Sequence, residues 1–150
     1  MGENQSGAIK NPKTVLESTL ESVDSAENLV LEAASRAGFE EEDLHKLGMA
    51  VREAMVNAVV HGNRYNARKK VHLAVEAESD RVVVRITDEG EGFEPEALPD
   101  PLAEENLLRQ SGRGLLLIQA FVDEFEMQKA PPLGTEVRLV KYRGEDGTKE

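Results

Sequence analysis

The sequence predicts a two-layer α/β sandwich, with helices laid on one face of a mostly antiparallel, mixed sheet. Three observations carry this prediction. Two successive stretches read as helices, one from a capping box to Gly38 and one to Gly62 with its apolar residues at helical spacing. The next two, 70–77 and 81–87, switch to a period of two and are joined only by Glu78-Ser79-Asp80, as in a hairpin. After a long irregular segment, a helix and two more strands complete the chain. The order β-α-α-β-β-loop-α-β-β contains no internal repeat and nothing that suggests a second domain, and 150 residues suit one domain with a real core.

Taken in order, residues 1–13 are polar and rich in Gly, Asn, Ser and Lys, and read as a flexible N-terminal arm. The domain proper spans 14–142. Thr14–Ser22 carries the mixed signal of a short strand. Asp24-Ser25-Ala26-Glu27 reads as a capping box, with an N-cap acceptor and Glu three residues on. The helix it opens runs to Gly38, a C′ glycine. A second helix runs from near Glu40 to Gly62. Its stripe of Leu44, Leu47, Val51, Met55 and Ala58, widened by Val56, Val59 and Val60, makes its second half apolar nearly all round, as in a buried helix. In the hairpin, Val71, Leu73 and Val75 alternate on one strand and Val82, Val84 and Ile86 on the other. Residues 93–111 hold Pro95, Pro99, Pro101 and many carboxylates. Irregular segments of that length inside a compact domain are usually lids or binding loops. Leu115–Phe121 reads as a helix opened by glycines, Glu124–Gln128 as a strand, and Glu136–Tyr142 as a clearly alternating one. Residues 143–150 form a C-terminal tail.

Composition excludes several classes. A formal charge of −11 argues against direct binding to nucleic acid, which needs a basic surface, and against an anionic membrane. An anion bridged by magnesium still fits, because the metal cancels local charge. There is no cysteine, hence no disulfide or thiolate chemistry. The three histidines, His45, His61 and His72, lack zinc-ligand spacing. No apolar run is long enough to span a bilayer and no signal peptide is present, which together indicate a cytoplasmic protein.

Two kinds of feature point to a ligand. The first is a polar series, Glu53, Asn57 and His61, inside the apolar second helix. At 3.6 residues per turn these spread over only roughly 80° of the circumference and share one face. Polar groups in such surroundings are costly to bury without partners. The second is a set of glycine-centred turns: Asp88-Glu89-Gly90-Glu91-Gly92-Phe93, Gly112-Arg113-Gly114-Leu115 and Gly134-Thr135. Glycine lets a backbone approach a ligand closely. The Asn57 amide oxygen suits magnesium, which prefers oxygen and keeps its waters. Glu53, one turn earlier, is placed to orient or deprotonate a hydroxyl. Asp88, at a strand end, can accept a hydrogen bond from the exocyclic amine of a purine. Free N–H groups where Gly112-Arg113-Gly114 opens a helix bind phosphate, and Arg113 adds a bidentate contact. Box by box, a plain structural reading is the stronger one: a Glu–Asn cross-link, a helix-end histidine, an acidic turn, a glycine linker. There is no P-loop, no dinucleotide fingerprint and no nucleophile elbow.

The order of the boxes is more specific. Glu-x-x-x-Asn-x-x-x-His on a helix, Asp-x-Gly-x-Gly-Phe after a strand, Gly-x-Gly-Leu at a helix start and Gly-Thr before a strand together resemble the ATP-binding domain shared by gyrase, histidine kinases and related ATPases. The segments REAMVNAVVHGN, TDEGEGF, GRGLLLI and GTEV are most similar to the anti-sigma-factor serine/threonine kinases of the RsbW type. The resemblance covers roughly residues 14–142 and implies a Bergerat-type fold. By it, Asn57 would ligate Mg2+, Asp88 would hold the adenine amine of ATP, and Glu53 would be the catalytic base. Gly90, Gly92, Gly112, Arg113, Gly114, Leu115 and Thr135 would line the nucleotide, under a lid formed by 93–111 that is shorter and richer in proline and acid than in longer family members. The same resemblance implies a homodimer, a sigma factor as bound partner, and an antagonist protein as phosphoryl acceptor. A nucleotide-dependent binding module without phosphoryl transfer is the alternative. Retention of Glu53 favours the kinase, since a pure binder needs no base. A detached histidine-kinase domain is a weaker option, since no long helix bearing a phosphoacceptor histidine precedes the domain.

Overall fold

The computed structural model describes residues 13–90 and 114–144. The chain forms β1 (Lys13–Leu16), α1 (Glu21–Arg36), α2 (Glu41–Val56), a π-helical turn (Asn57–Gly62), β2 (Val71–Ala77), β3 (Arg81–Thr87), α3 (Gly114–Phe121), β4 (Glu124–Lys129) and β5 (Thr135–Tyr142). The strands lie in the order β1-β2-β3-β5-β4, and each neighbouring pair is antiparallel. The expected sandwich is there, with the helices over one face.

Register explains why. It aligns Leu73, Ile86, Val137 and Met127 in one row across the sheet, and Val75, Val84, Leu139 and Phe125 in the next. Because side chains alternate along a strand, these rows share the face turned to the helices. Val23, Ala26, Val30, Ala33 and Ala34 of α1 and Leu47, Ala50, Val51, Ala54 and Met55 of α2 close over them. Each large side chain so buried contributes about 1.5–3 kcal/mol. The other face of the sheet is a lattice of charges. Arg85 and Arg138 stand directly opposite one another, an unfavourable pairing by itself. Each is flanked by two carboxylates, Arg85 by Glu76 and Glu136, Arg138 by Glu124 and Glu126. Beside these side chains on the same face, Val83 and Val140 are buried.

Two sequence expectations need correction. The Asp24 capping box does not form: α1 starts at Glu21, one turn earlier, with no side-chain cap at Leu20. Asp24 and Glu27 lie inside the helix and both accept hydrogen bonds from Arg52 of α2, each at 2.7 Å. A shared guanidinium binds two carboxylates better than one helix end binds one. The first strand is also shorter than Thr14–Ser22. It stops at Leu16 because Ser18 turns inward, where its hydroxyl donates to the carbonyl of Lys69.

At the pole where α2 begins, Lys141 extends the core face of β5 and lies between Asp43 and Asp123, 3.4 Å from each. Asp43 also accepts the Gly144 N–H at 2.9 Å. The nearby cavity of about 1030 Å3 is lined by these groups together with Glu40, Lys46, Asp80 and Arg143.

Candidate functional site

The opposite pole is where α2 ends. Glu53 sits in its last turn, half-buried, with no hydrogen bond or ion pair among the described residues. Asn57 lies at the seam where the α-helix gives way to the π turn, which is marked by Asn63 N–H donating to the Ala58 carbonyl five residues back, at 2.8 Å. Inserted residues of this kind are frequent at functional positions. The insertion also changes directions around the axis. Glu53 and Asn57 remain half-buried, whereas His61 is exposed at the end of the wide turn. Asn57 Nδ2 is the side-chain polar atom that is fully buried with no partner among the described residues. Such an atom costs about 1–3 kcal/mol and is the mark of a site completed by something else.

Asp88 follows β3 and is buried. Its Oδ1 accepts the N–H groups of Gly90 at 2.9 Å and Thr135 at 3.3 Å, and its own N–H donates to the Thr135 carbonyl at 3.0 Å. Burial pushes the Asp88 carboxyl above the ordinary aspartate range, against the opposing pull of those two N–H bonds and of the positive Lys69. A carboxylate held in this way has an unmet demand for a donor.

Three glycines make room for it. A Cβ on Gly62 would lie 2.4 Å from Asp88 Oδ2, one on Gly90 would lie 2.2 Å from the Gly62 carbonyl oxygen, and one on Gly134, at φ +113°, would lie 1.9 Å from the Asp88 carbonyl oxygen. The end of the π turn, the segment after β3 and the segment before β5 therefore interlock around one carboxylate. The fold thus brings Asp88, Gly90 and Thr135 together, and contact through Gly62 sets them beside the turn that starts at Asn57. Gly114 and Leu115 are buried at the start of α3, which packs on α2. Gly92, Gly112, Arg113 and the lid residues 93–111 lie outside the described residues.

Sequence reasoning missed two neighbours of Asp88. Asn63, 2% exposed, bonds to Ser18, Lys70 and Glu89. Glu89 reaches His72 Nε2 at 2.6 Å and the Lys70 N–H at 3.2 Å, and its pairing with the imidazole holds its carboxyl below the ordinary glutamate range. An asparagine just past the glycine that ends a helix was the available signal, but its partners lie up to 45 residues away.

The profile of the histidine kinase-like ATPase domain family matches residues 16–141. The chain is 35% identical over 115 residues to the serine-protein kinase RsbW of Staphylococcus epidermidis, covering 72% of this chain and 71% of that one. It is 33% identical over 103 residues to the anti-sigma F factor of Bacillus subtilis (strain 168), covering 67% of this chain and 70% of that one. A crystal structure of the RsbU and RsbW domains of a Mycobacterium tuberculosis protein superposes with a TM-score of 0.61 at 20% identity, over 87% of this chain. This chain spans only 32% of that longer one. The mycobacterial sensor histidine kinase MprB superposes with a TM-score of 0.51 at 18% identity, over 87% of this chain and 97% of that one. At such identities the two structures bear on the fold alone.

Proposed function

This chain belongs to the histidine kinase-like ATPase domain family, and on that premise we propose that it is an ATP-dependent serine/threonine protein kinase acting as an anti-sigma factor. In this reading it phosphorylates an antagonist protein and binds a sigma factor. The names of its relatives, a serine-protein kinase and an anti-sigma F factor, support both halves. The observation that carries the nucleotide half is the buried Asp88 carboxylate, bonded to two backbone N–H groups through one oxygen and walled by glycines. Its free demand is for a donor, which adenine supplies as the exocyclic amine and guanine, with a carbonyl in that position, does not.

The buried Asn57 Nδ2, a donor without a partner among the described residues, calls for an acceptor, and the oxygen of the same amide is the atom that suits a magnesium ion brought in with the nucleotide. Asn57 would hold the ion through its side-chain oxygen; when bound, the ion neutralises charge on the phosphates. Gly112, Arg113, Gly114 and Leu115 would cradle the phosphates at the start of α3, with Gly90, Gly92 and Thr135 along the nucleotide. Glu53 takes the proton of the acceptor serine hydroxyl as its oxygen bonds to the γ-phosphorus and the bond to the ADP oxygen breaks. Phosphoryl transfer rests mainly on positioning and charge neutralisation, so one carboxylate and one cradle suffice. The protein would work in the cytoplasm as a homodimer.

The test is incubation of the purified protein with γ-labelled ATP and candidate antagonist proteins from the same genome. Labelling of a serine or threonine on one of them is expected. A protein that binds ATP and a partner yet labels none would be a nucleotide-dependent binding module instead.

A further inference from the structure

Asn63 ends the segment REAMVNAVVHGN without being one of its Glu53, Asn57 and His61 positions, and its side chain makes three hydrogen bonds among the described residues. It follows the π turn directly and is 2% exposed. Its Nδ2 donates to Ser18 Oγ at 2.9 Å and to the Lys70 carbonyl at 2.9 Å, while its Oδ1 accepts the Glu89 N–H at 2.8 Å. The partners fix which way round the amide sits, since a carbonyl only accepts and a backbone N–H only donates. One side chain therefore ties together the β1–α1 connection, the start of β2 and the segment after β3.

The bond to Glu89 N–H has a particular consequence. A peptide unit is planar, so holding that N–H fixes the whole plane between Asp88 and Glu89, and with it the direction in which the Asp88 side chain leaves the backbone. Glu89 is held a second time by its carboxylate, which bridges His72 and the Lys70 N–H. On the other side, Asp88 Oδ1 is taken by Gly90 and Thr135. What remains to be oriented is Oδ2, on the side where Gly62 leaves room.

We propose that Asn63 is a positioning residue for base selection: without touching the nucleotide, it sets the Asp88–Glu89 peptide so that the Asp88 carboxylate meets a purine amine. This rests on the reading of Asp88 given above. The experiment measures Kd for ATP and for inosine triphosphate, which carries a carbonyl in place of the amine, in the parent, Asn63→Ala and Asn63→Asp. Asn63→Asp retains the oxygen that accepts the Glu89 N–H but loses both donor bonds. Melting temperatures are recorded alongside.

Both variants should melt lower, as any structural role would require. They should part in selectivity. Asn63→Ala should bring the inosine-to-adenosine Kd ratio down by about tenfold or more, the scale of a misplaced charged hydrogen bond, while Asn63→Asp keeps the parental ratio. A folded Asn63→Ala protein with the parental ratio overturns the proposal. Should Asn63→Ala not fold, Asn63→Asp carries the test, and a collapsed ratio there overturns it. A parent that binds both nucleotides equally refutes the Asp88 reading itself, which is a separate outcome.

Discussion

Gly62→Ala is a one-carbon change whose effect can be worked from the contacts. The new Cβ would stand 2.4 Å from Asp88 Oδ2 and 2.5 Å from its Cγ, about 1 Å inside ordinary van der Waals contact. The carboxylate cannot simply swing away, because Oδ1 is bonded to Gly90 and Thr135 and the group is buried. It must shift by about 1 Å or give up those bonds. Alanine in a helical turn gains up to ~1 kcal/mol over glycine, against about 1–3 kcal/mol for overpacking, so the fold should survive with a modest loss. The nucleotide should suffer more. A hydrogen bond to a charged group is worth about 1.5–3 kcal/mol, and losing it weakens binding by about 10- to 100-fold. Calorimetric titration with ADP, which is not turned over, reads this directly. Titration with inosine diphosphate serves as control and should change far less, since it brings no amine. Parental ADP affinity in a folded Gly62→Ala protein would refute the assignment of Asp88 to the base.

Further predictions follow from the same contacts. Because burial raises the Asp88 carboxyl, its ionised form weakens the nucleotide-free fold, and that cost sets in as pH rises through the folded-state pKa. Asp88→Asn should therefore melt above the parent at pH 7, with the gap closing below about pH 4, while ATP binding falls; an equal melting temperature at pH 7 contradicts this. Asn57→Ala should abolish most of the extra thermal stabilisation that magnesium gives to the ATP complex and leave metal-free binding nearly intact, as read by melting with and without the ion. Asp43→Ala breaks the buried contact to Lys141 and the bond from Gly144, and should cost about 3 kcal/mol by denaturant titration with parental ATP affinity. Loss of ATP binding in that variant would mean that the two poles are coupled.

Much of this was legible because it is periodic or local. The hairpin 71–87 and the alternating β5 follow from period two, and the buried second half of α2 from an apolar circumference. Asp88, Gly90 and Thr135, which the fold brings together, stood out because strand ends and glycine turns leave marks in sequence. What was not legible depends on long-range partners. Asp24 and Glu27 look like a capping box until Arg52, 28 and 25 residues away, binds both. The inserted residue that turns Asn57–Gly62 into a π turn leaves no trace in composition, and neither does the exposure of His61 at its end. Asn63 and the His72–Glu89 pair depend on the sheet bringing the start of β2 beside the segment after β3.

The proposed function turns on phosphoryl transfer with Glu53 as base. It is tested most directly by single-turnover transfer from ATP to the serine of the antagonist, comparing the parent with Glu53→Gln. The substitution keeps shape and hydrogen bonding and removes the charge. Near-parental ATP affinity, continued binding of the protein partner, and transfer slower by on the order of 10²-fold or more are expected. A Glu53→Gln protein that transfers at the parental rate would contradict this role.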